Sequence, residues 1–285
     1  LGDVYKRQVQ SQGCFGSVAN TYRISRHEVT NAQYAEFLNA KAASDSLDLY
    51  NLSMGSGFGG ITRSGSSGSY TYSPIAGREN MPVNYVTFFD GVRFTNWLHN
   101  DQGSGDTETG AYTLLGGTAL PSNGLELTRN AGATLLGPSE DEWYKAAYYD
   151  ALTTSFFDNP AGSDIQPVCA AAGATPNTAN CGAVVGDLTA VGSYTGSASP
   201  YGAFDQGGNV WKWNDSIIPS FNRGLRGGSY DYGANNQAAS LRPSSGSMLE
   251  ESFVGFRVAS IPEPGTGLLV LTGLLALASS RRRCV

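Results

Sequence analysis

The residues able to carry metal or covalent chemistry are few. The 285-residue chain holds four cysteines, Cys14, Cys169, Cys181 and Cys284, and two histidines, His27 and His99. No CxxC is present and no cysteine is spaced with a histidine as a zinc site requires, so zinc is not expected. Nothing pairs a nucleophile with a base in the Ser/His/Asp or Cys/His manner. Exposed polar residues such as Asp231, Arg242, Glu250 and Glu251 are what remains for any other chemistry. Cys169 and Cys181 flank a loop rich in Gly, Ala and Asn. In an oxidising compartment a disulfide there closes a short loop and stabilises by about 3 kcal/mol; two buried free thiols are the other reading.

The elements that must position these residues are short. Thr30 and Gln33 form a capping box ahead of Tyr34, Phe37 and Leu38, which share a helix face. A second helix is expected from about Thr87 to His99, aligning Phe94, Trp97 and Leu98. A third follows Pro138, with Ser139 and Glu142 as its box, then Trp143, Ala146 and Ala147. All three stripes read as core. His27 reads as a boundary residue before the first helix and His99 as a solvent-exposed helix end. Strands are expected at Tyr22–Ser25, Tyr112–Leu115, Val191–Tyr194, Leu225–Ser229 and Phe253–Ala259. With no repeat and no βαβ alternation, the fold class is α+β with much irregular structure.

Composition agrees with that picture and excludes some partners. Glycine at 37 residues, with 15 Tyr and 4 Trp, implies many turns and ordered loops pinned by aromatic rings. A net charge of -6 with 15% charged residues provides no basic field for phosphate backbones, so nucleic acid is not an expected partner. Hydrophobic residues at 40% suffice for a core.

The two ends stand apart from the domain. Residues 1–8 (LGDVYKRQ) look like adventitious leader sequence and are set aside, leaving a domain over 9–260 and a tail over 261–285. In that tail, Pro262-Glu263-Pro264 precedes an apolar run, Gly265 to Ala278, and then Arg281, Arg282 and Arg283. The arginines should stay on the cytoplasmic side of a membrane, which puts the domain outside. The arrangement resembles a PEP-CTERM sorting signal, whose implied partner is exosortase-type machinery. A C-terminal hydrophobic, transmembrane helix and an exported, surface-sorted or matrix location are therefore expected.

Several segments, in order, resemble the formylglycine-generating (sulfatase-modifying factor) family. They are Ile24-Ser25-Arg26-His27-Glu28-Val29-Thr30-Asn31, Met81-Pro82-Val83-Asn84-Tyr85-Val86, Pro138-Ser139-Glu140-Asp141-Glu142-Trp143 and Ser199-Pro200-Tyr201-Gly202. Gly207-Gly208-Asn209-Val210-Trp211-Lys212-Trp213, Arg226-Gly227-Gly228-Ser229 and Gly255-Phe256-Arg257 complete the series. The resemblance implies a C-type-lectin-like fold. It also implies a copper(I) site made by two thiolates after the RGGS segment, positions that fall here on Tyr232 and Gln237; copper is therefore not expected. The iron-dependent sulfoxide synthase branch uses a histidine-rich motif that two isolated histidines cannot supply.

Calcium is the remaining implied cofactor. The family's site around the GN-x-W-E-W turn maps onto Asp205, Gly208, Val210 and Lys212, where an ammonium replaces a carboxylate ligand. A second calcium arrangement would use Asn180 and Asp187. The expectation is a non-catalytic binding or structural module with a polysaccharide or protein ligand. The rival is an envelope enzyme of the same superfamily with a divergent site. Arg226 and Arg257, beside glycines in RGGS and GFR, are expected to be buried and hydrogen-bonded rather than catalytic.

Overall fold

The structure is a computed structural model that describes residues 14–262. Its three helices begin where the capping boxes place them. Helix α1 (Asn31–Lys41) is capped by Thr30 and Gln33, α2 (Phe88–His99) by Thr87 and Asp90, and α3 (Glu140–Tyr148) by Ser139 and Glu142. Each box satisfies two of the backbone N–H groups that a helix start leaves open. The apolar stripes of α1 and α2 meet in the main core. There Phe37 lies 5.5 Å from Phe94 and 5.4 Å from Trp97, and Phe256 closes on Phe94 at 5.4 Å. Helix α3 carries a smaller core of Trp143, Tyr144, Tyr148 and Phe156.

The sheets are small, and the longest strand is one the sequence reading missed. Trp211–Ile218 is central in a four-stranded sheet, flanked by Asn222–Arg226 and, in parallel, by Val254–Gly255, with Ser244–Gly246 on the outer edge. The spacing of Trp211 and Trp213 hid this strand within a turn motif, yet Trp213 donates its indole N–H to Val86 O and Leu225 pairs with it across the sheet. Arg23–Ile24, Ala259–Ser260 and Leu135–Leu136 form a second sheet that joins the two ends of the domain. A hairpin, Ile61–Ser64 with Thr71–Pro74, also escaped the sequence reading.

Two expected strands do not form. Tyr112 makes only an isolated bridge with Arg129, and Val191–Tyr194 is a turn at Val191 and Gly192 followed by irregular chain, Gly192 taking φ +75 against the His27 ring. The segment Phe253–Ala259 splits into two short strands, Val254–Gly255 and Ala259–Ser260. The strand Asn222–Arg226 stops at Gly227, whose φ is +95 and where an added Cβ would lie 2.2 Å from Gln206 O. His99, expected in solvent, is half-buried instead, with Nδ1 3.4 Å from Thr134 Oγ1. The fold is a mixed helix and sheet architecture with extensive ordered loops.

The apolar run 265–278 and the arginines 281–283 lie outside the described residues. Among the described residues no helix is long and apolar enough to cross a membrane.

Candidate functional site

The turn after Arg226-Gly227-Gly228-Ser229 brings together residues from four distant parts of the chain. Tyr232 is 39% exposed and packs edge-on against Trp211 at 5.7 Å and Phe253 at 5.5 Å. Gln237 ends a single 3-10 turn, Ala234–Gln237, and is buried. Its amide is wedged into the glycine turn so closely that a Cβ on Gly207 would meet Oε1 at 2.2 Å, and its carbonyl accepts from the Tyr148 hydroxyl at 2.9 Å. A phenol open to water and a sealed carboxamide thus occupy the two positions where the resemblance puts thiolates.

Cys169 and Cys181 are joined by a disulfide, with Cα atoms 4.9 Å apart. The bridge packs on Ala234, between the two positions just described. Gly182 N–H donates to Tyr232 O and Ala183 N–H to Tyr230 O, both at 2.8 Å, so the disulfide loop is stitched to the Tyr232 segment. The sequence carried no signal for this proximity, since more than fifty residues separate Cys181 from Tyr232.

Around Tyr232 the surface is aromatic. Phe58, 38% exposed, packs tilted against Tyr230 at 5.4 Å, and its carbonyl is held by Arg78 at 2.8 Å and Asn84 at 3.0 Å. Tyr85, half-buried at φ +55, donates its backbone N–H to Glu251 O, and Asn84 reaches Ser252 O at 2.9 Å. Asp231, which accepts from Ser229 Oγ at 2.6 Å, and Glu251 are exposed. The other two polar candidates point to structural work. Arg242 is paired with Glu140 at 2.7 Å, and Glu250 accepts from Asn51 at 2.8 Å in a half-buried position where burial raises its pKa. The four residues do not converge on one point.

The calcium positions form a second, interior cluster. Lys212 is fully buried, donates to Gly208 O at 2.6 Å and pairs with Glu28 at 3.2 Å. Asp205, at φ +52, accepts from Gly192 N–H at 2.5 Å, while Val210 is sealed in apolar contact with Leu188 and Tyr230. Arg257 lies 3.4 Å from the other Glu28 oxygen and donates to Phe204 O. Burial raises the Asp205 pKa, with Glu28 adding to the rise, and burial lowers that of Lys212, opposed by Glu28. The residues present do not fit a divalent cation, because an ammonium already sits on the carbonyl that would coordinate it. Asn180 and Asp187 do not fit one either. Asn180 donates to Asp187 O at 2.9 Å, and the Asp187 carboxylate is taken by Arg78 at 2.8 and 2.9 Å. Among the described residues no group of three or more His, Cys, Asp or Glu side chains is placed to hold a metal.

His27 lines a cavity of about 330 Å³ with Arg26, Gln33, Glu36 and Gln102. Its ring stacks on Phe204 at 5.7 Å, and burial, then Arg257, lowers its pKa. Arg226 and Arg257 are both buried and hydrogen-bonded to backbone carbonyls.

Known proteins are similar to this chain in sequence or in fold. The hercynine oxygenase of Mycolicibacterium smegmatis is 26% identical over 208 residues, 70% of this chain but 38% of that enzyme. The chain therefore spans about two fifths of the length of that relative. The crystal structure of CarF superposes with a TM-score of 0.60 at 22% identity, covering 92% of this chain and 94% of CarF. Treponema denticola variable protein 1 gives 0.52 at 20% identity, over 85% of this chain and 84% of its own. These two likenesses concern the fold. Residues 16–261, nearly all of what the structure describes, match the sulfatase-modifying factor enzyme 1-like domain, and it is to that family that this chain belongs.

Proposed function

We propose that this chain is a non-catalytic, saccharide-binding member of its family, exported from the cytoplasm, with its recognition face centred on Tyr232. The observation that carries the reading is the replacement of a paired-thiolate position by an exposed phenol inside an aromatic ledge, while the second position, Gln237, is closed off. Tyr232 and Phe58 are partly exposed aromatic rings held in place by Trp211, Phe253 and Tyr230. Exposed carboxylates at Asp231 and Glu251 accept hydrogen bonds from hydroxyl groups. Rigid aromatic area bordered by a few oriented polar groups suits a flat, hydroxyl-rich ligand, and the carboxylates favour a neutral polysaccharide over an acidic one.

The disulfide supports an oxidising compartment. Export, tail recognition by exosortase-type machinery and membrane attachment belong to the same proposal and rest on the tail sequence 261–285. Protease shaving of spheroplasts should digest the domain and spare the arginine end; the reverse pattern removes the sorting reading.

Binding is tested by titrating neutral and acidic polysaccharides against the wild type and Tyr232→Ala. Neutral glycans should bind, and Tyr232→Ala should weaken them by on the order of tenfold or more, about 1.4 kcal/mol. Equal binding by the variant, or none by the wild type, overturns the reading. A second reading, an envelope enzyme with a divergent site, is favoured by the likeness to an oxygenase. Oxygen consumption by the purified chain, supplied with iron or copper and a small thiol, that exceeds the rate of the metal and thiol alone and is lost on heat denaturation of the chain would replace the first reading with this one.

A further inference from the structure

We infer that the Lys212 ammonium is a built-in substitute for a divalent cation, so that the Gly208–Trp213 turn holds its shape without calcium. The ammonium lies 2.6 Å from Gly208 O and 3.2 Å from Glu28, and neither charged side chain has any exposure to water. Gly208 sits at φ +81, where an added Cβ would lie 2.4 Å from Asn180 O, and its carbonyl faces the cluster, accepting from the ammonium.

Charge conservation explains why the swap is tolerated. A carboxylate plus a divalent cation carries the same net charge as one ammonium. Replacing the first pair by Lys212 leaves the remaining charges, Glu28, Asp205 and Arg257, in balance with it. A buried charge without such balance would cost several kcal/mol. Asp205 remains as a hard oxygen donor engaged by Gly192 N–H, and Gly208 O keeps its direction. The geometry therefore retains part of a cation cage and fills its centre covalently.

The same logic makes the exchange reversible by one substitution. Lys212→Glu removes the ammonium and adds the missing carboxylate beside Glu28 and Asp205. The cluster is then over-charged until a divalent ion enters. Lys212→Met removes the cation and supplies no ligand.

The test is thermal melting of the full chain with calcium or with a chelator. The wild type should melt at the same temperature in both. Lys212→Glu should melt lower in chelator and shift up by about 5 °C or more at calcium a hundredfold above its dissociation constant. Lys212→Met should melt lower than wild type and ignore calcium. A wild type that loses stability on chelation and regains it with calcium overturns the inference. So does a Lys212→Glu chain that shows no calcium response, whether folded or unfolded, or a Lys212→Met chain as stable as wild type.

Discussion

Arg226 Nη2 lies 2.6 Å from Glu140 Oε1 with both side chains almost sealed from water, and Arg242 approaches the second oxygen at 2.7 Å. Ser216 Oγ is a third partner, donating at 2.8 Å. Helix α3 and the strand Asn222–Arg226 are joined through this one carboxylate. Burial pushes its pKa up, but Arg242 and Arg226 outweigh that and hold it below the usual range. Glu140→Ala should cost about 3–5 kcal/mol, because it strands a buried guanidinium. That is roughly 10 °C of melting temperature for a domain of this size. Arg242→Ala, whose side chain is 29% exposed, should cost about 1 kcal/mol or less. Since the folded pKa is depressed, the stabilisation is complete above the unfolded value of 4.5 and fades as pH falls through the folded value. Denaturant melts at pH 7 and pH 3 should show the Glu140→Ala deficit shrinking in acid.

Asp90 behaves in the opposite sense. It caps α2, with Oδ2 accepting Thr87 N–H at 2.8 Å, yet burial pushes its pKa up to about 8 against those hydrogen bonds; Glu250 raises it further and Arg93 opposes. The folded state then holds a proton that the unfolded chain releases near 3.8. Stability from this group is greatest below that value and declines as pH rises towards 8. Asp90→Asn keeps the acceptor and cannot ionise. Its melting temperature relative to wild type should climb between pH 4 and pH 8 and level off above, by several degrees in total. A flat difference across that window would mean that Asp90 stays ionised in the fold.

The disulfide makes a separate forecast. Closing a segment with a sequence separation of 12 is worth about 3 kcal/mol in the chain-entropy account. Cys169→Ala combined with Cys181→Ala should lower the melting temperature accordingly. Because Gly182 and Ala183 donate to Tyr232 and Tyr230, their amide hydrogens should also exchange faster in the variant, while those of α1 keep their protection. Uniform acceleration across both regions would point to global destabilisation and away from this local tie.

The sequence made some of this plain for physical reasons. Capping boxes are local, so Thr30 and Ser139 marked two helix starts that the structure repeats, while the start at Thr87 was read from the apolar stripe and the structure adds its box with Asp90. Strands of two residues carry no period, and Tyr112 and Val191 show how a β-rich composition misleads where glycine turns dominate. Lys212 was visible as an intruder among calcium ligands, but its partner was not. Glu28 lies far away in sequence, and only the fold places it at the ammonium. The aromatic ledge was hidden for the same reason, since Phe58, Tyr232 and Phe253 come from three separate segments.

The last forecast concerns copper. Copper(I) prefers soft sulfur donors, and Tyr232 and Gln237 offer an oxygen acid and a buried amide. With ascorbate, which keeps copper as copper(I) but spares disulfides, the chain should leave the metal with a competing bicinchoninate chelator. The fold adds a complication that the sequence did not contain. Cys169 and Cys181 pack on Ala234, so a reductant strong enough to open the bridge would expose two sulfurs beside the Tyr232–Gln237 segment. Copper uptake seen only after treatment with a phosphine reductant, and abolished in Cys169→Ala, would therefore come from this pair. Uptake by the oxidised chain, unaffected by Cys169→Ala and lost in Tyr232→Phe, would show that the phenol position itself holds metal. That result would remove the ground for a non-catalytic face. Tyr232→Cys with Gln237→Cys, assayed with ascorbate alone, should gain binding if the turn after Gly228 still directs both positions to one point.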